Sequence, residues 1–270
     1  KIISRLNEIN RSIKITGILS FWYGECAWVG KKFAGKNSVK HYCWILGQDA
    51  RKENKYPGRI HPKENELIAL SDFLQEEFKR NHGLRPKHVI PAAVDTKQFS
   101  DLKQDRDIDI LAAGSLIPLK QYDVFVEIIN RIKKKLPGIR ATLIGNGPEK
   151  EKLQILIARS GLQDNIRLTG ELAHPEVLRL MQRAKVFLHT SSYEGFGVVL
   201  LEALQAGCHV ISFNRAMKEE IEHWHIVNSK EEMREKALEL LQSPVTVYKS
   251  VAPFTMDDTV KKISGLFEIT

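Results

Sequence analysis

The chain has 270 residues, of which 43% are hydrophobic and 27% charged, a composition typical of a folded protein and not of a disordered one. A chain of this length forms one large domain or two smaller ones. No run approaches the roughly 20 uncharged apolar residues that a transmembrane helix needs. No stretch has the composition of a secretory signal, a transit peptide or a low-complexity tail.

Lysine and arginine together number 41 and aspartate and glutamate 33, which gives a formal net charge of +8. A basic surface favours anionic partners such as phosphorylated ligands, nucleic acid or an acidic membrane face, although it equally serves solubility alone. Zinc-finger spacing, an RNA-binding aromatic signature and an arginine-rich arm are absent from the sequence, so we expect no nucleic-acid partner. The three cysteines, Cys26, Cys43 and Cys208, are far apart and odd in number, which predicts reduced core residues of a cytoplasmic protein.

The first third of the chain alternates short apolar runs with amphipathic segments. It begins at Lys1, and not at methionine, inside a predicted helix, so we expect a fragment whose upstream part is missing. Ser71 is a favourable N-cap and Gly83 a favourable end for one helix. Strands are predicted at residues 15–19, 41–45, 67–70 and 88–90, and helices at 25–34 and 71–81. This pattern resembles the back half of a Rossmann-type unit.

Residues 104–214 alternate more regularly between apolar, β-branched runs and amphipathic segments. Strands are predicted at 108–113, 141–144, 166–169, 186–189 and 209–213, and helices at 121–136, 148–160, 174–184 and 198–206. The basic run from Lys133 to Lys135 lies opposite the apolar face of its helix, which predicts a solvated surface. Alternation of this kind indicates a parallel sheet with helices on both faces, whose ligands gather at the carboxyl ends of the strands.

The polar stretch 96–107 is typical of a linker between two α/β domains. We therefore predict an incomplete Rossmann-like domain at residues 1–98 and a second Rossmann-like domain at 99–254. Residues 215–253 are less regular, with one helix predicted at 230–241, and residues 256–267 form a final amphipathic helix within a separate C-terminal segment, 255–270.

The most informative stretch is residues 191–203 (SSYEGFGVVLLEA), where a buried strand ends and a helix begins. Gly195 and Gly197 allow the backbone to approach a ligand, and the first N–H groups of the helix point into the same space. A diphosphate bound there would also meet the positive end of the helix dipole. Glu194 precedes this turn and Glu202 lies inside the helix, so the two carboxylates could reach opposite ends of an elongated ligand.

Two further loops are predicted at the same edge of the sheet. Residues 114–120 (GSLIPLK) leave the first strand of this domain and deliver Lys120, whose charge can neutralise a phosphate. Residues 145–148 (GNGP) are similar to a dinucleotide fingerprint but lack its third glycine, and Pro148 is a typical first helical residue.

Taken together, these segments resemble the retaining glycosyltransferases of family 4, also described as group 1 glycosyl transferases, whose fold is GT-B. The carboxyl half of that family shows a Gly-Arg…Lys loop, a Gly-x-Gly-Pro turn and Glu-Gly-Phe-Gly with a second glutamate eight residues after the first. Residues 114–120, 145–148 and 194–202 match these motifs, and residues 89–96 (VIPAAVDT) resemble the family's hinge. The resemblance covers residues 15–270 and is strongest over 108–213.

The resemblance implies retaining transfer of a sugar from a UDP- or GDP-linked donor to a hydroxyl of a glycan or lipid-linked glycan, as in polysaccharide biosynthesis. Lys120 and Glu194 would be catalytic, with Lys120 stabilising the departing diphosphate. The same donor site would include Ser115, Leu172, Gly195, Phe196, Gly197, Val198 and Glu202, of which Glu202 would bind the ribose and the main chain around Leu172 the base. The final helix would cross back onto the first domain.

The resemblance further implies that the enzyme needs no cofactor or metal, that it is cytoplasmic with peripheral contact to the inner face of a membrane, and that this fragment alone is inactive. Three departures from the family pattern are visible. Ser115 stands where the family has arginine, Ala92 and Ala93 replace Asn-Gly in the hinge, and residues 214–220 replace a glycine-rich segment.

Other polar residues are weaker candidates. Asp107 and Asp109 have the spacing of a manganese site, but they open a buried strand and are interpreted as a solvated strand edge. His223 and His225 lack a third ligand nearby, and Cys208 enters a strand, so packing roles are favoured. Asp49 follows a predicted strand of the first domain and remains a candidate for sugar binding.

Two alternative functions stay open, and a third is disfavoured. Another GT-B nucleotide-sugar enzyme, such as an epimerase, would use the same donor site. A catalytically degenerate GT-B binding protein would be consistent with Ser115 and the altered segment 214–220. An NAD-dependent Rossmann enzyme is disfavoured because the glycine turn does not follow the first strand and lacks the downstream acidic partner.

Overall fold

The computed structural model describes residues 1–99 and 105–268, and these form two units, each built on a parallel sheet. The described strands are β1 (Gly17–Phe21), β2 (Lys40–Ile45), β3 (Leu67–Ala69), β4 (His88–Val89), β5 (Ile108–Ala113), β6 (Ala141–Ile144), β7 (Ile166–Gly170), β8 (Ala184–His189), β9 (His209–Ser212) and β10 (Trp224–Ile226). The described α-helices are α1 (Ile2–Ser12), α2 (Glu25–Asn37), α3 (Tyr56–Ile60), α4 (Asp72–His82), α5 (Tyr122–Lys133), α6 (Lys150–Arg159), α7 (His174–Gln182), α8 (Val198–Gln205), α9 (Lys230–Gln242) and α10 (Met256–Phe267).

The first unit comprises Lys1–Ala93, the short segment Ala216–Lys218 and the C-terminal segment from Met256 onward. Its four strands are all parallel and follow one another in the order β1-β2-β3-β4. The side chain of Ser71 caps α4 by accepting a hydrogen bond from the Leu74 N–H at 3.1 Å, and Gly83 ends the helix in the left-handed conformation, as the sequence predicted.

The C-terminal helix α10 packs within the first unit. The ring of Phe267 meets Tyr42 edge to face at 5.0 Å between ring centroids, and the Tyr42 hydroxyl donates to the carbonyl of Leu266 at 3.1 Å. Near the other end of the helix, the Thr259 hydroxyl donates to the carbonyl of Pro91 at 3.2 Å. The helix is therefore held to β2 at one end and to the segment after β4 at the other.

The second unit comprises Val94–Arg215 and Glu219–Thr255, so the division falls between Ala93 and Val94, five residues before the predicted one. Part of the predicted linker, residues 100–104, lies outside the described residues. The six strands are all parallel and lie in the order β10-β9-β8-β5-β6-β7. The chain thus starts at the centre of the sheet with β5 and adds β6 and β7 on one side. It then returns to the other side of β5, where β8, β9 and β10 follow in order.

The core of the second unit explains why these segments form a two-faced sheet. Strands β6 and β9 are buried along their whole length, as expected for parallel strands that are covered on both faces. Helix α5 turns its fully buried residues Phe125, Ile128, Ile129 and Ile132 toward this sheet, while Lys134 and Lys135 beyond its end are exposed. The prediction of a solvated basic run is confirmed for these two lysines, whereas Lys133 is half-buried and its Nζ donates to the carbonyl of Gly161 at 2.8 Å.

Most predicted elements agree with the structure to within a few residues, and the differences have local causes. Helix α5 begins at Tyr122 because Gln121 takes a left-handed φ of 49°, and α2 continues to Asn37, three residues beyond its predicted end. The short helix α3 and strand β10 were not predicted. In the described part of the chain no helix is long and apolar enough to cross a membrane.

At position 145, directly after β6, both the backbone conformation and the neighbouring atoms favour glycine over any larger residue. Its φ is 145°, and a Cβ atom there would collide with the carbonyl oxygen of Gly114. We therefore expect Gly145→Ala to destabilise the second unit by about 2–5 kcal/mol, since strain and a backbone collision act together. Urea unfolding would measure the loss. The matched control is Gly138→Ala, where an added Cβ meets nothing within 4 Å, and equal stability losses in the two variants would contradict the prediction.

Candidate active site in the second unit

The candidate site lies where the strand order of the second sheet reverses. The chain proceeds to opposite sides of the sheet from the adjacent strands β5 and β8, and such a switch point leaves a crevice at the carboxyl ends of the strands. Backbone bonds hold the loops after β5 and β6 together, with Leu116 N–H donating to Asn146 O at 2.9 Å. The loop after β8 joins them through Ser192 N–H, which donates to Leu119 O at 3.0 Å.

These loops and the amino ends of α7 and α8 enclose a cleft of about 540 Å³, within the range of small-molecule sites. It is lined by Ala113, Gly114, Ser115, Lys120, Ile144, Gly145, Asn146, Glu171, Leu172, Val177, Glu194, Gly197, Val198 and Val199. Six of the nine predicted site residues are among them, namely Ser115, Lys120, Leu172, Glu194, Gly197 and Val198. The structure thus brings together the loop after β5 and the turn into α8, as the motifs suggested.

The turn into α8 depends on Gly197. Its φ of 63° and ψ of 82° lie in the left-handed region, and the helix begins at the next residue, Val198. A Cβ atom on Gly197 would lie 3.1 Å from Cγ of Glu194, tighter than ordinary packing. Glycine therefore allows Glu194 and the first residues of α8, Val198 and Val199, to line the same cleft.

Lys120 and Glu194 form an ion pair in the cleft. Lys120 Nζ donates to Glu194 Oε2 at 2.6 Å, and both side chains are about one-fifth exposed. His189 Nε2 lies 3.3 Å from the same oxygen. Burial alone would raise the pKa of Glu194, but the hydrogen bond from His189 and the positive charge of Lys120 outweigh it and lower that pKa to about 2. Glu194 is therefore a stable anion at neutral pH.

The second carboxylate has a different partner. Glu202 Oε1 lies 2.8 Å from His174 Nε2, and Glu202 is 15% exposed while His174 is 53% exposed. Glu202 belongs to α8 but is not among the residues that line the cleft, whereas Val198 and Val199 of the same helix are. Its carboxylate thus lies beyond the cleft lining, and the predicted contact with a ribose stays a prediction.

Two more predicted residues lie outside the cleft lining. The ring of Phe196 is buried, 1% exposed, and packs edge to face against Trp224 and Phe254. Any contact that Phe196 makes with a ligand would therefore come from its main chain, as proposed for the N–H groups of this turn. Gly195 has no side chain to contribute and is likewise not part of the lining.

Sequence reasoning missed two histidines. His189 ends β8 in an apolar run, so its position indicated a core residue, and His174 opens α7, where only the loop before it was considered. Asn146 also lines the cleft, although the motif at 145–148 was interpreted only through its glycines and its proline. The available signal for His189 was a buried polar residue five positions before Glu194 at the carboxyl end of a predicted strand.

The weaker candidates of the second unit have structural roles. Asp107 pairs with Arg183 and Asp109 with Lys185, at the amino end of β5 and so at the opposite edge of the sheet. His209 lies 3.0 Å from His225 and stacks on His223, a packing cluster as predicted. Within residues 1–99 and 105–268 no group of three or more His, Cys, Asp or Glu residues could hold a metal ion.

The roles of the remaining candidates, Asp49 and the three cysteines, follow from whether their side chains are buried. Asp49 is buried and accepts the backbone N–H groups of Tyr23, Leu46 and Gly47, so it stabilises a turn and is not presented to a sugar. Cys43 and Cys208 are buried, and burial raises the pKa of Cys208 to about 12, consistent with packing. The prediction of a core position is wrong for Cys26, which is exposed at the start of α2.

Comparison with known proteins gives a family match. The model of the family described as "Glycosyl transferases group 1" matches residues 94–250, more than half of the chain. The gpi3 subunit of phosphatidylinositol N-acetylglucosaminyltransferase from Schizosaccharomyces pombe is 27% identical over 212 residues, which cover 76% of this chain and 46% of that protein. The GtfA subunit of UDP-N-acetylglucosamine–peptide N-acetylglucosaminyltransferase from Streptococcus pneumoniae is 30% identical over 145 residues, 53% of this chain and 28% of that protein.

Solved structures share the fold at low sequence identity. Anabaena HepE in complex with UDP and glucose superposes with a TM-score of 0.77 at 16% identity, over 100% of this chain and 82% of that one. A Staphylococcus aureus TarM variant in complex with UDP gives 0.73 at 18% identity, over 92% of this chain and 55% of that one. The fold is therefore that of the GT-B glycosyltransferases. The chain spans about half the length, 46%, of the first curated relatives it matches.

The pH dependence of stability tests the Lys120–Glu194–His189 arrangement. Because the folded-state pKa of Glu194 is about 2 and its unperturbed value is 4.5, its charge stabilises the fold fully above pH 4.5 and less as the pH falls toward 2. We expect Glu194→Gln to lower the free energy of unfolding by about 1–3 kcal/mol at pH 7. The deficit should be the same at pH 5.5 and smaller at pH 3.5.

Denaturant unfolding of the wild type and the variant at the three pH values gives this difference directly. Glu151→Gln is a matched control, because Glu151 is exposed on α6 and has no ion pair in the described part of the chain. A Glu194→Gln deficit that grew toward low pH, or one equal to that of the control, would contradict the arrangement.

Proposed function

Because this chain belongs to the glycosyl transferases group 1 family, we propose that its protein is a retaining glycosyltransferase that moves a sugar from a nucleoside diphosphate to a hydroxyl acceptor. One observation carries the proposal. The Lys120–Glu194 pair, 2.6 Å between Nζ and Oε2, lies in a cleft at the switch point of the second sheet, beside the first turn of α8. A cation and the first turn of a helix beside one cleft suit a diphosphate.

In the proposed reaction the acceptor oxygen bonds to the anomeric carbon of the sugar while the bond from that carbon to the diphosphate oxygen breaks. The bonding electrons leave with the diphosphate, and the acceptor proton passes to a phosphate oxygen. Lys120 and the amino end of α8 would stabilise the negative charge that develops on the leaving group, the kind of electrostatic help that dominates many enzymes. Metal independence is part of this proposal.

Each side of the cleft would meet a different part of the donor. Lys120 and Ser115, from the loop after β5, would contact the diphosphate, and Glu194 would hold the sugar through its carboxylate. The main chain at Leu172 would meet the base, while Glu202 would bind the ribose once its bond with His174 is exchanged. The family match supports this arrangement, as does the position around one cleft of the proposed donor-binding residues named here other than Glu202.

Uridine diphosphate is the proposed carrier and N-acetylglucosamine the sugar to test first. The names of both relatives describe N-acetylglucosaminyl transfer, and one of them names UDP-N-acetylglucosamine. The relatives act on different acceptors, a phosphatidylinositol and a peptide, so the acceptor is proposed only as a hydroxyl of a glycan or lipid-linked glycan. With a lipid-linked acceptor the protein would work at the cytoplasmic face of a membrane.

Binding of the carrier is the first test. We expect uridine diphosphate to raise the melting temperature of the full-length protein more than guanosine or adenosine diphosphate does. At 100 times its Kd a ligand adds about 2.7 kcal/mol to the free energy of unfolding, which thermal-shift measurement detects readily. Absence of a shift with every nucleoside diphosphate would contradict a donor site, and the larger shift with guanosine diphosphate would overturn the choice of base.

Transfer itself is the second test. With full-length protein and a panel of UDP-linked sugars, we expect Lys120→Ala and Glu194→Ala each to lower kcat by about 100-fold or more, since each removes a charge at the leaving group or the sugar. Lys152→Ala, which removes an exposed lysine of α6, is the matched control and should keep wild-type activity. We expect the 270-residue chain alone to be inactive, because it spans about half of its relatives.

The same assay separates the alternatives. Product in which the sugar is isomerised but still nucleotide-linked would indicate an epimerase. Nucleotide binding without any turnover would indicate a degenerate binding protein. Unchanged transfer in both the Lys120 and the Glu194 variant would overturn the assignment of these residues.

A further inference from the structure

His189 is a buried polar residue that the proposed chemistry does not yet use. It is the last residue of β8, in register with Ser212 of β9, and its side chain is 4% exposed. Its Nε2 lies 3.3 Å from Glu194 Oε2 and 3.1 Å from Ser191 Oγ. The ring therefore reaches the cleft residue Glu194 from inside the sheet and not from solvent.

The two contacts of Nε2 favour one tautomer of the ring. A carboxylate only accepts hydrogen bonds, whereas the Ser191 hydroxyl can accept or donate, so both contacts are satisfied together when Nε2 carries the proton. Burial lowers the pKa of His189, so the ring is neutral and its Nδ1 is an unprotonated acceptor. That Nδ1 is buried and has no hydrogen-bond partner in the described part of the chain. An apolar side chain would fill the same space without an unsatisfied acceptor, so packing alone does not account for histidine here.

The two carboxylate oxygens of Glu194 differ in their partners. Oε2 receives both Lys120 and His189, whereas Oε1 has no hydrogen-bond partner among the described residues. A diphosphate in the cleft would compete for Lys120, because a second anion shares the same ammonium group. The bond from His189 would not be affected, since its ring is buried behind the carboxylate.

We propose that His189 is a positioning residue, whose Nε2–H holds Oε2 of Glu194 so that Oε1 stays directed at the donor sugar when Lys120 turns to the diphosphate. The inference rests on the proposed function, because it assigns Glu194 and Lys120 to a donor. It adds a residue that acts on the reaction only through Glu194. His189 itself would not touch the substrate.

The charges around Glu194 set the expected pH behaviour. Among the described residues, the titratable groups that act on it are Lys120 from the loop after β5, His189 from β8 and Tyr122 from the start of α5. Of these, His189 and Lys120 favour the anion, and the Tyr122 hydroxyl remains protonated because burial and the charge of Glu194 raise its pKa. Removing the His189 donor should therefore raise the pKa of Glu194 and move the acidic limb of the kcat profile to higher pH.

Two variants of the full-length protein separate positioning from packing. His189→Leu keeps an apolar group of similar size and removes the donor, whereas His189→Gln keeps an N–H donor near the position of Nε2. His209→Leu is the matched control, since it removes a buried histidine at the amino end of β9, away from the cleft. Melting temperatures establish that each variant is folded.

The first measurement is the titration of the Glu194 carboxyl carbon by NMR, assigned through Glu194→Gln. It needs no substrate. We expect a higher pKa in His189→Leu than in the wild type, a wild-type-like value in His189→Gln and no change in His209→Leu. An unchanged pKa in His189→Leu would overturn the inference whether or not the protein is a transferase.

The second measurement is the pH profile of sugar transfer. We expect His189→Leu to lower kcat by about 10- to 100-fold, the effect of losing one charge-assisted hydrogen bond, with a smaller change in the KM for the donor and recovery in His189→Gln. A shifted carboxyl pKa with unchanged kcat in an active protein would overturn the positioning role. Failure of wild-type protein to transfer any sugar would count against the proposed function, while the titration still decides the His189–Glu194 bond.

Discussion

The adjacency of β5 and β8 is the constraint on which the site depends. Lys120 and Glu194 are 74 residues apart in the chain, and closing so long a loop is entropically unfavourable unless other contacts hold its ends. The parallel pairing of the two strands provides those contacts, from Ile108 opposite Ala184 to Leu111 opposite Phe187. Beyond the strands, the Thr190 hydroxyl donates to Lys120 O at 2.7 Å. The pairing of β5 with β8 therefore holds Lys120 and Glu194 close enough to form their ion pair.

The net positive charge of the chain is not reflected in the residues that line the cleft. Although the sequence carries a net charge of +8, Lys120 is the one basic residue among the described residues that line the cleft, where it is accompanied by Glu171 and Glu194. Ser115, in the place of the arginine typical of the family, lies in the same lining and contributes no charge. An anionic ligand must therefore compete with Glu194 for Lys120 and depend heavily on main-chain N–H groups. Under the proposed function, the orientation of Glu194 in the ligand-bound state would then depend on its contact with His189.

Local sequence patterns predicted the second unit well and the side-chain geometry less well. Strands β5 and β6 have their predicted bounds because each is a short apolar run that ends in glycine, a signal that needs no tertiary information. Strand β10 was missed because only three residues pair with β9, in a segment without a clear period. Cys26 was assigned to the core from its residue type, although it lies on the exposed side of α2. Whether a single residue is buried depends on which residues from other parts of the chain pack against it, and a local sequence pattern does not identify these.

The same limit applies to the site. Glycine-rich turns at strand ends predicted which loops meet, because parallel strands bring their carboxyl ends to one edge. The pattern did not predict that Phe196 points into the core, since this depends on the conformation of the turn before α8. It also did not predict that Glu202 lies outside the cleft lining, which depends on how α8 is rotated about its axis. The contact of His189 with Glu194 was not predicted for a further reason. A histidine at the end of an apolar strand is compatible with packing, and only the position of Glu194 distinguishes the two roles.

The two carboxylates of the motif illustrate how burial determines function at this edge of the sheet. Glu194 shares one oxygen between Lys120 and a histidine that is 4% exposed, whereas the histidine that meets Glu202 is 53% exposed. A buried donor cannot exchange its partner for water, so its bond keeps the carboxylate in one orientation. An exposed histidine can turn into solvent at little expense, which leaves Glu202 free to change partners. Glu194 is therefore held more firmly than Glu202, and under the proposed function this difference suits a donor whose transferred sugar must be placed more strictly than its ribose.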